Sequence, residues 1–164
     1  MIVITPKEFT RLVELYSGTV FRTAMCYVRN RQDADDIMQD VFLKLYTYGK
    51  DFESDEHVKA WLIRVTINHC KNLLKSIKFR IYEPIEKAEN VPDTEQEQSD
   101  LLSVINELKP KYRSIMYMFY YEGYSVKEIA AVTGEKETTI TTRLSRGRKQ
   151  LKKLLLKGGY DELQ

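Results

Sequence analysis

The sequence is poor in the residues that interrupt helices and in those that bind metals. Its 164 residues include seven glycines, four prolines, two cysteines and two histidines. Glycine and proline are scarce, and apolar residues recur about every 3.6 positions over long stretches, so the sequence predicts an all-α protein. We find no alternating strand pattern and no internal repeat.

The residues that usually carry catalysis form no familiar motif. His57 and His69 lie outside the H-E-x-x-H pattern, and the chain has neither a glycine-rich phosphate loop nor a nucleophile elbow. A magnesium nuclease site would need Asp35, Asp36 and Asp40, which helix capping and a partner surface explain better. We therefore predict no enzyme activity, no metal and no cofactor.

No stretch of the chain has the character of a membrane span. No apolar run approaches the roughly 20 residues that cross a bilayer, and residues 1–8 lack the basic and apolar regions of a signal peptide. Cys26 and Cys70 are isolated, without metal-ligand spacing, and are predicted to be buried thiols. These features predict a cytoplasmic protein without direct membrane insertion.

The N-terminal half is predicted to contain four helices. Thr5 and Glu8 form a capping box at the start of the first helix, which Gly18 is expected to break. The next helices are predicted over residues 19–28, 34–46 and 57–77. Asp33 is expected to cap the helix that follows it. Apolar spacing predicts a core that includes Leu12, Val20, Ala34, Ile37, Val41, Leu45, Val58, Trp61 and Leu62.

An acidic face is predicted on the third of these helices. Asp36 and Asp40 stand four residues apart, with Gln39 and Phe42 adjoining them. One interpretation is a solvated face whose acids favour the helix start. The other is a surface for a basic partner, with Phe42 as an apolar anchor. The residues alone leave both open and favour the solvated face.

A row of hydrogen-bond donors is predicted on the helix over residues 57–77. Spacings of four, three and four place Arg64, Asn68, Lys71 and Lys75 on one face. Such a face is either solvated or suited to phosphates and base edges. Considered alone, it favours the solvated interpretation slightly.

The second half of the chain follows a segment of different composition. Between residues 82 and 100, seven acidic residues accompany only one lysine, which gives a local charge of −6. Two prolines interrupt this segment, and its apolar residues are sparse. It predicts a flexible acidic linker, assigned to residues 81–98, between two small helical domains.

A helix-turn-helix is predicted near the C-terminus. Helices are expected to begin near Ser99 and Pro110, and Ser125 with Glu128 forms a capping box for the next one. Gly134 allows a tight turn, and Ile140 can anchor the second helix of the pair against the first. The second helix of such a pair can enter the DNA major groove.

The charge of that second helix supports DNA binding. Eight basic residues and two acidic ones give residues 135–157 a charge of +6, in a chain whose net charge is +2. A solvated basic face is the alternative, but the turn chemistry beside this patch favours phosphate binding.

Together these segments resemble the extracytoplasmic-function (ECF) class of bacterial RNA polymerase sigma factors. Residues 34–42, Ala-Asp-Asp-Ile-Met-Gln-Asp-Val-Phe, are similar to the segment two signature that docks on polymerase. The stretch Trp-Leu-Ile-Arg-Val-Thr-Ile-Asn over residues 61–68, with Lys71 and Asn72, is similar to the family's −10-element helix. The C-terminal half resembles segment four, whose helix-turn-helix reads the −35 element.

The resemblance implies a domain plan and a set of partners. Residues 1–80 would be the segment two domain, residues 81–98 the linker, residues 99–158 the segment four domain and residues 159–164 a tail. The chain would bind the β′ clamp helices and the β flap of core RNA polymerase, recognise promoter DNA, melt the −10 element and start transcription. Its regulator would be an anti-sigma factor, which in this family often sits in the membrane.

The resemblance also implies site residues. Core polymerase would bind Asp36, Gln39, Asp40 and Phe42. The −10 element would bind Phe52, Ser54, Arg64, Asn68, Lys71 and Lys75, and the linker would thread the polymerase's basic channels. The −35 element would bind Thr141, Thr142, Arg143, Ser145, Arg146 and Lys149.

Two departures from the family pattern and two rival functions accompany this prediction. Glu135 and Lys136 stand where the family often has an apolar residue and then Ser or Thr, and Thr141 stands where it often has a basic one. The first rival is a stand-alone helix-turn-helix regulator, which would act as a dimer on an inverted repeat. The second is a protein-binding module that occupies polymerase without starting transcription.

Overall fold

The computed structural model describes the backbone of residues 1–80 and 99–157, and within them it is helical. The helices are α1 (Pro6–Val28), α2 (Arg31–Thr47), α3 (Asp55–Arg80), α4 (Ser99–Asn106), α5 (Pro110–Tyr120), α6 (Val126–Thr133) and α7 (Glu137–Lys157). In these ranges the extended backbone pairs only at an isolated bridge between Ile2 and Phe52. The all-α prediction is confirmed. The predicted linker, residues 81–98, and tail, residues 159–164, lie outside the described residues.

The chain divides into two compact units. Unit 1 comprises Met1–Val91 and contains α1, α2 and α3, whereas unit 2 comprises Pro92–Gln164 and contains α4 to α7. The boundary falls inside the segment whose composition predicted a linker.

Unit 1 is a three-helix bundle in which each helix packs on the other two. Its core contains the predicted apolar stripes, including Leu12, Val20, Ala34, Ile37, Val41, Leu45, Val58, Trp61 and Leu62. Thr5 caps α1 as predicted, because its hydroxyl oxygen accepts a 3.1 Å hydrogen bond from the amide of Glu8.

Two local predictions for unit 1 are wrong. α1 runs through Gly18 without a break, because its buried stripe continues on both sides and outweighs the roughly 1 kcal/mol that one helical glycine costs. α2 is capped by Asn30 rather than Asp33. The Asn30 side chain accepts a 2.8 Å bond from the Asp33 amide and donates a 2.7 Å bond to the Asp33 carboxylate.

Unit 2 contains the predicted helix-turn-helix, formed by α6 and α7. Both bonds of the Ser125–Glu128 capping box are present at 3.1 Å. Gly134 ends α6 with φ at 74°, a left-handed conformation that glycine adopts at little cost. Ile140 is fully buried, and α7 packs against α4, α5 and α6. The predicted turn chemistry is therefore confirmed.

A buried arginine holds the turn between α4 and α5. Arg113 is 1% exposed, and its guanidinium donates to the carbonyl oxygens of Asn106 at 3.1 Å and Leu108 at 3.3 Å. Carbonyls at a helix C-terminus lack intrahelical partners and carry partial negative charge, so a buried cation there is well placed. The sequence offered no signal for this role.

α7 crosses α5 closely at Gly147. A Cβ atom at this position would lie 3.0 Å from the Met116 sulfur and 3.5 Å from the Tyr112 Cβ. The absence of a side chain at Gly147 therefore sets the distance at which α7 packs on α5.

Candidate functional site

The exposed face of α2 carries the predicted acidic residues together with an apolar side chain. Asp36, Gln39 and Asp40 are exposed, and Leu43 is 61% exposed. At 3.6 residues per turn these four positions fall within an arc of about 100°. They form one continuous surface, which we call the α2 face.

Phe42 does not belong to the α2 face. It is 5% exposed, and its ring lies 6.4 Å edge-on from that of Phe9 on α1. Its position is about 120° from Asp36 around the helix, so its ring packs inward, and its predicted role as an apolar anchor stays a prediction. Leu43 is the apolar residue that lies on the exposed side, and counting in steps of three and four from Asp36 could have found it.

The α2 face also touches α3. A carboxylate oxygen of Asp40 lies 3.5 Å from Nε2 of His69, whose side chain is 23% exposed. Asp36 lies one turn earlier on the same face. Any charge change at Asp40 therefore alters one contact within unit 1.

The predicted donors do share one side of α3. Arg64, Asn68 and Lys75 are exposed, and Lys71 is half-buried between them. We call these four residues the α3 face. It presents cations and an amide, whereas the α2 face presents carboxylates and an amide, so unit 1 carries two surfaces of opposite charge.

The loop before α3 holds the other two residues predicted to contact DNA, and the structure separates them. Phe52 is 1% exposed, with its ring centre 5.8 Å from that of Trp61 and 5.1 Å from that of His57. The ring of Phe52 therefore lies in the core of unit 1, and the predicted −10 contact of this residue stays a prediction for the loop backbone. Ser54 is exposed, and its hydroxyl oxygen accepts from the His57 amide at 3.2 Å.

The outer side of α7 brings together most of its predicted residues. Thr141, Thr142, Ser145, Arg146 and Lys149 are exposed. The hydroxyls of Thr141 and Thr142 donate 2.9 Å bonds to backbone carbonyls one turn earlier, so their oxygens keep acceptor capacity toward a ligand.

Two arginines of α7 have partners within unit 2. Arg143 is about one-third exposed and lies 3.5 Å from the Glu135 carboxylate, in the turn where the sequence departs from the family pattern. Nε of Arg148 donates a 2.7 Å bond to the Tyr120 hydroxyl, and its guanidinium lies 5.3 Å from the centre of the Phe119 ring. Arg148 therefore fastens α7 to α5, a role that its membership in a basic run did not reveal.

The phenol of Tyr112 lies beside two cationic side chains of unit 2. Burial raises the pKa of the Tyr112 phenol, but hydrogen bonds and charge from Lys111 and Arg146 lower it by more, so the pKa lies below its ordinary value. The Arg146 side chain thus has the Tyr112 hydroxyl as a neighbour in the unbound protein.

The described residues contain no group of three His, Cys, Asp or Glu side chains placed to hold a metal ion. Cys26 and Cys70 are buried and are not joined in a disulfide, as predicted. Burial, with a smaller contribution from Cys26, raises the pKa of the Cys70 thiol to about 12, so this thiol stays protonated at neutral pH. Among the described helices none is long and apolar enough to span a membrane.

Two family models match the chain, one on each unit. The Sigma-70 region 2 model matches residues 12–80, which include most of α1 and all of α2 and α3. The Sigma-70, region 4 model matches residues 98–151, which run from α4 into α7 and include the helix-turn-helix. The class is therefore that of the sigma-70 proteins.

The relatives narrow the class to one family. The RNA polymerase sigma factor SigV of Bacillus subtilis (strain 168) is 30% identical over 140 residues, covering 84% of each chain. The ECF RNA polymerase sigma factor SigM of Mycobacterium tuberculosis (strain ATCC 25618 / H37Rv) is 28% identical over 150 residues, covering 90% of this chain and 76% of the relative. The chain belongs to the ECF RNA polymerase sigma factors.

A solved structure supports the fold. The sigma factor RpoE of Bartonella quintana, solved in complex with the anti-sigma factor NepR, matches with a TM-score of 0.73 at 23% identity. The match covers 91% of this chain and 97% of that one.

The family models and the relatives together give the function. As an ECF sigma factor, this chain acts in promoter recognition and transcription initiation. The predicted family is confirmed, and the rival prediction of a stand-alone helix-turn-helix regulator is not favoured.

Proposed function

We propose that three exposed faces divide the work of initiation. The α2 face binds core polymerase, the α3 face with Ser54 binds the −10 element, and the outer side of α7 binds the −35 element. The observation that carries this division is the pair of oppositely charged faces on unit 1. A carboxylate face repels DNA phosphates and suits a protein partner, whereas a cationic face attracts them.

The α2 face suits a polymerase surface that offers cations around an apolar pocket. Asp36 and Asp40 would pair with basic side chains, and Leu43 would insert between them in place of the buried Phe42. An apolar side chain ringed by polar groups is a common arrangement in protein interfaces. The β′ clamp helices are the partner that we propose for this face, with the β flap as the partner of unit 2.

The α3 face suits a promoter whose strands are separating. Arg64, Lys71 and Lys75 would contact phosphates, and the Asn68 amide offers both a donor and an acceptor to a base edge. Extruding a base costs a few kcal/mol, which contacts in a protein pocket must offset. Ser54 can contribute a hydroxyl to such a pocket, whereas Phe52 supports the loop from within.

The outer side of α7 suits the major groove of the −35 element. Arg146 can donate two bonds to a guanine, a pairing that discriminates by roughly 1–3 kcal/mol. Thr141, Thr142 and Ser145 supply hydroxyls, and Lys149 supplies a phosphate contact. Arg143 is the remaining predicted contact, and Glu135 holds its guanidinium near the turn.

The neighbouring cations Lys149 and Arg148 provide a test of the −35 assignment. Lys149→Gln removes a phosphate contact, so the slope of log affinity against log salt should become shallower by about 0.9. Arg148→Gln is the matched control, because it removes the same charge from a side chain bound to Tyr120. It should leave the slope nearly unchanged and destabilise unit 2 by roughly 1 kcal/mol.

The measurement is binding of holoenzyme to −35 duplex DNA at several salt concentrations, with thermal denaturation of each variant alongside. Equal changes of slope for the two variants would contradict the assignment of Lys149 to phosphate and of Arg148 to internal support.

The proposed role requires no chemistry by the chain itself and places it with polymerase in the cytoplasm. The acidic segment 81–98 would thread the polymerase's basic channels. A sigma factor of similar fold was solved with an anti-sigma factor, and we expect this chain to be held inactive by such a partner, either soluble or membrane-anchored.

A further inference from the structure

The first four residues are tied to the loop that precedes α3. The amide of Ile2 donates a 2.6 Å bond to the carbonyl of Phe52, and the amide of Phe52 returns a 3.0 Å bond to the carbonyl of Ile2. The side chains of Ile2 and Ile4 pack against the core of unit 1. The N-terminal segment is therefore paired with the loop through its backbone and anchored to the core of unit 1 through its side chains.

The side chain of Phe52 is held by aromatic rings. The Phe52 ring stacks on Tyr48 at a centroid distance of 5.6 Å and meets Trp61 edge-on at 5.8 Å. Since backbone bonds fix the main chain of this residue and ring contacts fix its side chain, its position is defined. Because Glu53 and Ser54 follow Phe52 directly, the fixed position of Phe52 also restricts where these two residues lie.

The end of the loop is fastened to α3 and to α1. The Glu53 amide donates to Nδ1 of His57 at 3.1 Å, while the Ser54 hydroxyl oxygen accepts from the His57 amide. At the first residue of α3, Asp55 accepts bonds of 2.7 and 3.0 Å from the Arg11 guanidinium. This bonding lowers the pKa of the Asp55 carboxyl.

Such bracing matters for a loop that must capture a base. A surface loop is ordinarily mobile, and ordering it during binding lowers affinity. A loop that is already ordered in the unbound protein avoids that loss and can discriminate between bases by its fixed shape. The bridge to Ile2 constrains this loop through backbone hydrogen bonds, and it comes from a segment that belongs neither to the loop nor to α3.

We propose that residues 1–4, acting through Ile2, are a positioning segment for the loop over residues 49–54. They hold Ser54 and its neighbouring backbone in the conformation that captures a −10 base. This inference rests on the proposed −10 role of unit 1. Removing the bridge impairs −10 discrimination while core binding and −35 binding persist.

Two substitutions at one position isolate the backbone bond. Ile2→Ala removes the side chain and keeps the amide donor, whereas Ile2→Pro removes the donor as well. Val3→Pro is the control, because Val3 is more than half exposed and lies outside the bridge. Proline at position 3 also favours the extended backbone that residue 2 needs for the bridge.

The probe is a single-stranded −10 oligonucleotide from a promoter that the holoenzyme selects, compared with versions changed at one base. Ile2→Pro should reduce discrimination between them about five- to tenfold, Ile2→Ala less than threefold and Val3→Pro not measurably. Binding of the full chain to core polymerase and to −35 duplex should stay within twofold of the unmodified chain.

Undiminished discrimination in Ile2→Pro would overturn the proposal, and so would an equal loss of core binding, which would indicate a general defect of unit 1. Arg64→Gln and Asn68→Ala are measured in parallel. If these two variants weaken −10 binding and Ile2→Pro does not reduce discrimination, the positioning role of residues 1–4 is rejected and the −10 assignment is kept. If none of the three variants has an effect, both the positioning role and the −10 assignment are rejected.

Discussion

Reversing the charge of the α2 face with Asp36→Arg and Asp40→Arg should abolish binding to core polymerase, lowering the affinity at least a hundredfold. The pair of substitutions changes the local charge by four units on a surface that we assign to a basic partner. Like charges brought together across an interface cost several kcal/mol, and a hundredfold loss corresponds to about 2.7 kcal/mol.

The fold should survive this change, because both side chains are exposed. Substitutions at such positions usually alter the free energy of unfolding by less than about 0.5 kcal/mol. Asp40 also loses its 3.5 Å contact with His69, a surface pair with a half-buried imidazole that adds at most about 1 kcal/mol. The helical signal and melting temperature of unit 1 should therefore remain close to those of the unmodified chain.

Glu14→Arg with Glu56→Arg is the matched control, since it makes the same charge change at exposed positions of unit 1 off the α2 face. Core binding is measured by titrating labelled chain with purified core polymerase. Retained binding in the Asp36 and Asp40 variant, or an equal loss in the control, would contradict the docking face. Asp36→Arg alone should also weaken core binding strongly. Asp36 does not make the contact with His69, so this loss would come from the charge of the α2 face and not from that contact.

Gly147→Leu should destabilise unit 2 by roughly 3 kcal/mol and remove −35 binding with it. A Cβ alone would lie 3.0 Å from the Met116 sulfur and 3.1 Å from its Cγ, so even alanine would force Met116 to shift. Leucine adds three further carbon atoms between α5 and α7. Overpacking of this kind typically costs 1–3 kcal/mol and occasionally more, which is a large part of a domain's usual 5–15 kcal/mol.

Gly134→Ala separates this packing effect from a backbone effect. Gly134 has φ at 74°, and a Cβ added there would meet no atom within 4 Å, so alanine introduces strain without a clash. It should cost about 1 kcal/mol. Chemical denaturation followed through unit 2 compares the two variants, and a Gly147→Leu chain as stable as Gly134→Ala would refute the close crossing.

The predictions that succeeded depend on short-range chemistry. A capping box needs only Ser125 and Glu128 three residues apart, and a left-handed turn needs only a glycine at position 134, so the helix-turn-helix could be predicted from sequence. The stripe of apolar residues on each helix gave the core of unit 1 for the same reason. The family's motifs then gave the function.

The predictions that failed depend on competition between local and tertiary energies. One glycine at position 18 does not end a helix whose buried stripe continues past it. The family resemblance assigns Phe42 and Phe52 to binding surfaces, whereas the structure buries both rings, because large apolar rings gain from burial. Leu43 is the exposed apolar residue of the α2 face, and no family motif marks it.

Other features had no signal within the sequence. Gly147 and Arg148 each depend on a residue of α5, and Arg113 depends on carbonyls at the end of α4 and in the turn after it, which no periodic pattern encodes. The brace between Ile2 and Phe52 is of the same kind, since its bonds join backbone groups fifty residues apart.

The most direct test of the central claim is transcription from a promoter library by purified core polymerase with this chain added. We predict specific initiation from promoters that share a −35 and a −10 element at a fixed spacing, dependent on the chain and on both of its units. The absence of specific initiation would contradict the account. So would binding of the chain alone, as a dimer, to an inverted repeat.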